Sequence, residues 1–193
     1  MELNMALLVY AVVQFFAFLF VLVATPIDMF LQFPDPPIFR ACFTLWGFKD
    51  HCNSVSLNAS LNDLWEFCPR RLRLFRAAGV LAIISIFIFA AAFVLGVSML
   101  FCCFWLRYVC LGLNIVGAVT LGVVWIAMVV TFLRADTINC SAMKEGTVYG
   151  AGFALFITAW VLDIINILVL VFSICTTAPS ASDQVEQREG KLY

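Results

Sequence analysis

The chain has 193 residues, 64% of them hydrophobic and 12% charged, with 11 basic residues against 12 acidic ones. Soluble domains average about 45–50% apolar and about a quarter charged, so there is too little polar surface here to coat a water-soluble globule, and an ordinary cytosolic enzyme is excluded. A formal net charge of −1 leaves no electropositive face to neutralise phosphates, which excludes nucleic acid as a partner.

In chain order, residues 5–24 form the first of four apolar stretches. The others are 77–101, 110–133 and 148–175, and a single charge, Asp163, interrupts the four. Each has the roughly 20 apolar residues with which an α-helix crosses a hydrocarbon core of about 30 Å, all backbone groups paired internally. Buried helices of soluble cores run shorter, and four in succession would have almost nothing to cover them. Leu22-Val23-Ala24 resembles a signal-peptide cleavage site, but Glu2 stands where a basic leader belongs and the apolar run exceeds the usual 7–15 residues. It reads as a retained first span. The expected architecture is a mainly α membrane protein, a four-helix bundle with a first loop at 25–76, a turn at 102–109, a second loop at 134–147 and a tail at 176–193. The two loops then share one face of the membrane, and both termini share the other with the turn.

The first loop opens on Pro26, Pro34, Pro36 and Pro37, which break helix and extend the chain. Residues 38–48 have a β-like composition, and Val55 and Leu57, alternating with serines, predict a second strand. Ser60 with Asp63 three residues on predicts a capping box opening a short helix that carries Leu64, Trp65 and Phe67. So small a sheet-and-helix unit has too little core to stand alone and calls for covalent staples.

The cysteines supply candidates. Cys42, Cys52, Cys68 and Cys140 fall in the two loops, whereas Cys102, Cys103, Cys110 and Cys175 sit near helix ends on the opposite face. Two sequons, at Asn58 and Asn139, also lie in the loops, and both clues place the loops outside. Four loop cysteines allow two disulfides in three connectivities, and the spacing does not choose among them. The positive-inside rule points the other way. Arg40, Lys49, Arg70, Arg71, Arg73, Arg76, Arg134 and Lys144 lie on the loop face, against Arg107, Arg188 and Lys191 on the other. Residues 70–76 interleave arginines with Leu72, Leu74 and Phe75, a pattern that predicts an amphipathic lead-in lying flat at the interface. On that basis the loops are placed outside and the termini in the cytoplasm.

The run Cys42-Phe43-Thr44-Leu45-Trp46-Gly47-Phe48-Lys49-Asp50-His51-Cys52 resembles the signature of the amastins, surface glycoproteins of trypanosomatid parasites. So does the run from Gln14 to Asp28 at the first span. His51 stands where that family usually has an acid, an amide or Thr, and Ala24 where Gly is common. The layout also resembles claudins, four-span proteins whose first extracellular loop is a small sheet with a Trp and a disulfide, although their Trp-to-Cys spacing is shorter. The resemblance implies cytoplasmic termini, an exposed first loop, display at the plasma membrane chiefly in the intracellular amastigote stage, and roles in host-membrane contact with no established biochemical activity.

Asp163 is costly inside a span, on the order of 2.5–3.5 kcal/mol on insertion scales. Gln14, Thr120 and Asn166 fall within about one helical turn of its depth. Two readings follow: a polar clasp that fixes helix rotation, or a proton or ion step centred on Asp163. The clasp is favoured because no internal repeat and no Pro interrupts the spans, as a transporter's binding site would require. Small residues at Ala92 and Gly96, at Gly150 and Ala154, and at Gly112, Gly117 and Gly122 suit close packing within the bundle, with homo-oligomerisation the alternative. Cys102, Cys103, Cys110 and Cys175 are palmitoylation candidates or simply small buried hydrophobes. Cys42, His51, Cys52 and Cys68 lack the paired spacing of a structural zinc site, so no metal or cofactor is expected. No catalytic constellation appears, and the tail is too polar to bury a core and reads as disordered. The expected function is non-catalytic. The bundle is held in the lipid bilayer while Trp46, Phe48 and their neighbours are offered to a host membrane or surface ligand, or form the loop's own core.

Overall fold

The computed structural model describes residues 5–32, 41–54, 56–101, 105–136 and 140–177. Four long helices carry the architecture: α1 (Met5–Ala24), α3 (Pro69–Met99), α4 (Leu106–Leu133) and α5 (Ala151–Thr177). All four are long and apolar enough to cross a membrane. α1 packs on α3 and α5, and α4 packs on the same two, so the helices close a ring in chain order. The ring is apolar outside and partly polar inside. Phe87 and Phe172 are 70% and 68% exposed, whereas Gln14, Ser85, Asn114, Asp163 and Asn166 are buried. Water would demand the reverse, and lipid accepts it.

One end of the bundle carries a cap. Its antiparallel sheet joins β1 (Asp28–Gln32), β2 (Ala41–Thr44), β3 (Gly47–Lys49) and β4 (Ala59–Ser60) from the first loop to β5 (Thr147–Tyr149) from the second, in the order β4-β3-β2-β1-β5. The two loops are thus one unit on one face. Phe30 on β1 is fully buried, with ring centroids 6.3 Å from Phe75 on α3, 5.9 Å from Phe132 on α4 and 5.9 Å from Tyr149 on β5. This aromatic joint seats the sheet on the helix ends.

Several boundaries differ from the sequence reading. Residues 70–76 do not form a separate interfacial segment, because Pro69 occupies the first turn of α3 and the helix runs from there without a break. α4 likewise begins at Leu106, inside the expected turn. The fourth helix begins at Ala151, because residues 147–149 are drawn into the sheet by pairing with β1. Leu57 is not in a strand. The partner of β2 is instead β3, and β4 follows at Ala59–Ser60. Val55, Pro34, Pro36 and Pro37 lie outside the described residues, as does the tail beyond 177. The Ser60–Asp63 capping box is present, but its helix, α2 (Leu61–Leu64), is one turn long and leaves Trp65 and Phe67 beyond it.

Two aspartates just past helix ends cap neighbouring helices. Asp28 follows α1, and its Oδ2 accepts from the Ala151 amide at 3.3 Å, at the first turn of α5. Asp136 follows α4, and its Oδ2 accepts from the Arg71 amide at 2.8 Å, in the first turn of α3. Each carboxylate satisfies an orphan donor and faces the positive end of a helix dipole. Asp136→Ala is expected to cost about 1–2 kcal/mol, and Asp28→Ala, with the longer bond, about half as much. Thermal unfolding of the detergent-solubilised variants checks both, and equal effects would disprove the ranking.

Candidate functional site

The described cap residues place the loop cysteines in two bridges. Cys42 and Cys52 pair across 10 residues, with Cα atoms 5.3 Å apart, closing the β2–β3 hairpin. Cys68 and Cys140 pair across 72 residues, with Cα atoms 6.0 Å apart. That second bridge joins the residue preceding α3 to the second loop, so it ties together the two polypeptide segments of the cap.

Within the signature run, Thr44, Leu45, Trp46 and Gly47 form the turn between β2 and β3. The Thr44 hydroxyl accepts from the Trp46 and Gly47 amides, each at 3.2 Å, and donates to the Gly47 carbonyl at 3.0 Å. Gly47 has no room for a side chain, since a Cβ there would run into the Ala59 carbonyl on the paired strand. Leu45 is fully buried, and Phe43 packs between Phe48 and Trp65 at centroid distances of 5.2 and 5.7 Å. Lys49 pairs in register with Cys42.

Trp46 was expected either to be offered outward or to form the loop's own core, and the structure shows it partly exposed and tied to the bundle. Its indole N–H donates to the Thr25 carbonyl at 3.1 Å, just past the end of α1, and its ring covers Gly79 on α3. It is a joint between sheet and bundle, left 37% exposed. Phe48 likewise belongs to the cap's own core. Trp46→Phe, which keeps an aromatic ring and removes the donor, is expected to lose about 1 kcal/mol. A Tm unchanged from the parent would show that the ring alone makes the joint.

The second candidate lies midway through the bundle. Asp163 on α5 is fully buried, and neither carboxylate oxygen has a hydrogen-bond partner among the described residues. It lies against Gly117 on α4, where a Cβ would come within 3.4 Å of its Oδ2. One turn along α5, Asn166 Nδ2 donates to Gln14 Oε1 on α1 at 2.7 Å. Thr120 joins neither. Its hydroxyl donates to the Gly117 carbonyl at 3.0 Å and accepts from Ser85 on α3 at 2.9 Å. The expected four-residue cluster is therefore a Gln14–Asn166 clasp, a separate Ser85–Thr120 pair, and a carboxylate bonded to neither.

A scan against protein families matches residues 15–170 to the amastin surface glycoprotein family. The chain belongs to the amastin family. The match begins inside α1, ends inside α5 and contains the whole cap, including both disulfides. A search of curated proteins returned no match. The chain is thus a multi-pass membrane protein of a surface-glycoprotein family.

In this amastin the remaining candidates separate by position. Cys110 is fully buried with Leu7, Tyr10, Met99 and Leu170, as the reading of a small buried hydrophobe requires; the helix starting at Leu106 carries it inside the bundle. Cys175 is exposed. Cys102, Cys103 and Asn139 lie outside the described residues. Asn58 is exposed, with its Oδ1 accepting from the Asp50 amide at 3.2 Å. Among the described residues no cluster of His, Cys, Asp and Glu is arranged to hold a metal. Gly96 packs against Tyr10 and Gly117 against Phe89, so those two small residues serve contacts within the chain.

Sequence reasoning missed the Asn114 Nδ2 to Tyr10 hydroxyl bond at 2.9 Å, which crosses the bundle diagonally. It also missed Ser85, although a lone polar residue inside an apolar run was a signal. Arg71 was read as interfacial charge and is instead buried in the cap, its Nη2 donating to the Ser141 carbonyl at 2.6 Å. No local pattern gives that contact, because its partner lies 70 residues away.

Proposed function

We propose that this amastin is a non-catalytic display protein of the plasma membrane. Both termini are cytoplasmic, and the cap faces outward for contact with another membrane or surface ligand. The observation that carries the reading is the pair of disulfides confined to the cap. Such bridges form and persist in oxidising compartments and are rare in reducing ones. The opposing arginine count loses weight because part of that charge is used inside the cap. Arg71 bonds Ser141, Arg76 bonds Asn62, and Arg70 lies 3.9 Å from Asp136. A rigid, covalently braced cap suits recognition, since little ordering entropy is lost on contact.

The test is labelling of intact cells with an impermeant thiol reagent, with and without a mild impermeant reductant. Reductant-dependent labelling of Cys42, Cys52, Cys68 and Cys140 before permeabilisation is expected. Labelling of these cysteines as free thiols only after permeabilisation would overturn the orientation.

A second reading rests on the unbonded Asp163 carboxylate. It is a proton or cation step through the bundle. Flux in proteoliposomes decides it: a flux abolished by Asp163→Asn supports it, and no flux in either protein dismisses it.

A further inference from the structure

Between the first-loop sheet and the second loop the cap holds a cavity of about 310 Å³, whose walls include Gln32, Phe43, Trp65, Arg71, Met143 and Glu145. We propose that this cavity binds a small ligand bearing one carboxylate on a body the size of a single sugar or aromatic ring. The volume is at the lower end of the roughly 300–1,000 Å³ of small-molecule sites, which sets the size.

The charge comes from Arg71. It is only 5% exposed, its guanidinium lies 4.7 Å over the Trp65 ring, and its side chain donates to the Ser141 carbonyl. A guanidinium has five N–H donors, and among the described residues no carboxylate lies within ion-pair distance of this one, Asp136 acting on it from further off. Beside it, the Trp65 indole N–H is buried and has no acceptor among the described residues, although Trp65 is only 8% exposed. Buried donors are rarely left unpaired, and Trp65 and Arg71 both line the cavity, so a ligand seated there that bears an acceptor would answer donors the chain itself leaves unmet.

A planar carboxylate matches the guanidinium fork. With Glu145 on the same wall offsetting the single cation, a phosphate dianion would meet net repulsion, so the ligand carries no more than one negative charge, placed at Arg71. Phe43, Trp65 and Met143 supply apolar surface for the ligand body, and Gln32 can bond a hydroxyl. The site is also pre-formed. Cys68 lies three residues from both Trp65 and Arg71, and its disulfide partner Cys140 precedes Ser141, so the bridge holds the walls together. The proposal deepens the display reading by naming a ligand class, yet binding to purified protein does not depend on which way the cap faces.

The test is calorimetric titration of the full chain in detergent with glucuronate, glucose, benzoate and inorganic phosphate. Saturable binding of glucuronate or benzoate is expected, with none for glucose and weaker binding for phosphate. Trp65→Phe keeps the ring and removes the donor, and is expected to weaken carboxylate binding about tenfold. Glu145→Gln, at an exposed position, is expected to strengthen it a few-fold. The proposal is overturned if neither carboxylate saturates, if glucose binds as well as glucuronate, if phosphate binds more tightly than both carboxylates, or if both variants bind like the parent.

Discussion

Replacing Cys68 and Cys140 together by serine is expected to lower folding stability by about 2–4 kcal/mol, more than removing the other bridge of the cap. Closing a loop of 72 residues is worth about 4 kcal/mol when the open chain is fully flexible. Here the intervening residues are mostly α3 and α4, which stay helical in a membrane or micelle because their backbone groups have no other partners. The freedom removed by the bridge is therefore smaller, which sets the lower figure. The Cys42–Cys52 bridge closes only 10 residues, within a hairpin already held by strand pairing, and its removal should cost less. Thermal unfolding in detergent, run on both double variants with and without reductant, checks the order. If the Cys42/Cys52 variant proved the weaker protein, the view of the second bridge as the brace between the two loops would fall.

The effect should also be local. The Phe30 joint and the Trp46 bond to Thr25 connect the sheet to the helices independently of Cys140. The four helices should therefore stay assembled in the bridge-less variant, while amide exchange rises in β5 and around Arg71. Loss of the Arg71–Ser141 contact would open the cavity wall, so carboxylate binding should weaken with the bridge even where helix content is unchanged.

How much could be read in advance depended on how local the cause was. The four spans were legible because lipid imposes a long uncharged run on each helix separately. The Ser60–Asp63 cap was legible because both partners lie within one turn. Which cysteines pair was not, since Cys68 and Cys140 meet only through the helical hairpin between them. Position in the sheet was equally hidden for residues 147–149: their strand exists because β1 offers it an edge, so the sequence pattern alone continued the fourth span through them. Depth along the helices correctly put Gln14 near Asn166, but depth carries no information about rotation. Thr120 turns toward Ser85 on α3, and a shared level in the bilayer was not enough to bring it to Asp163. The joint that Trp46 makes with the bundle was hidden for a related reason, since Gly79 leaves space on α3 for its ring and Thr25 offers an acceptor, and neither is adjacent to it in sequence.

Asp163 gives the second large prediction, and its sign is unusual for a fully buried residue. Removing a buried polar group normally destabilises because its partner is orphaned. Among the described residues this carboxylate has no hydrogen-bond partner to orphan. Asp163→Asn, close to it in shape, and Asp163→Ala should therefore not lower the Tm in detergent. They should also raise the fraction of chain that integrates into membranes, toward a gain on the order of the 2.5–3.5 kcal/mol that an aspartate costs at mid-span. Asn166→Ala supplies the contrast from one turn along the same helix. It breaks the 2.7 Å bond to Gln14 and should cost about 0.6–2 kcal/mol, the range for such bonds between spans. If Asp163→Asn fell as far as Asn166→Ala, the carboxylate would be part of the clasp and its presence explained by packing. If Asp163→Asn is as stable as the parent or more so, the chain carries an ionisable group in its centre that the fold does not need, and the reason for it lies in what the bundle does.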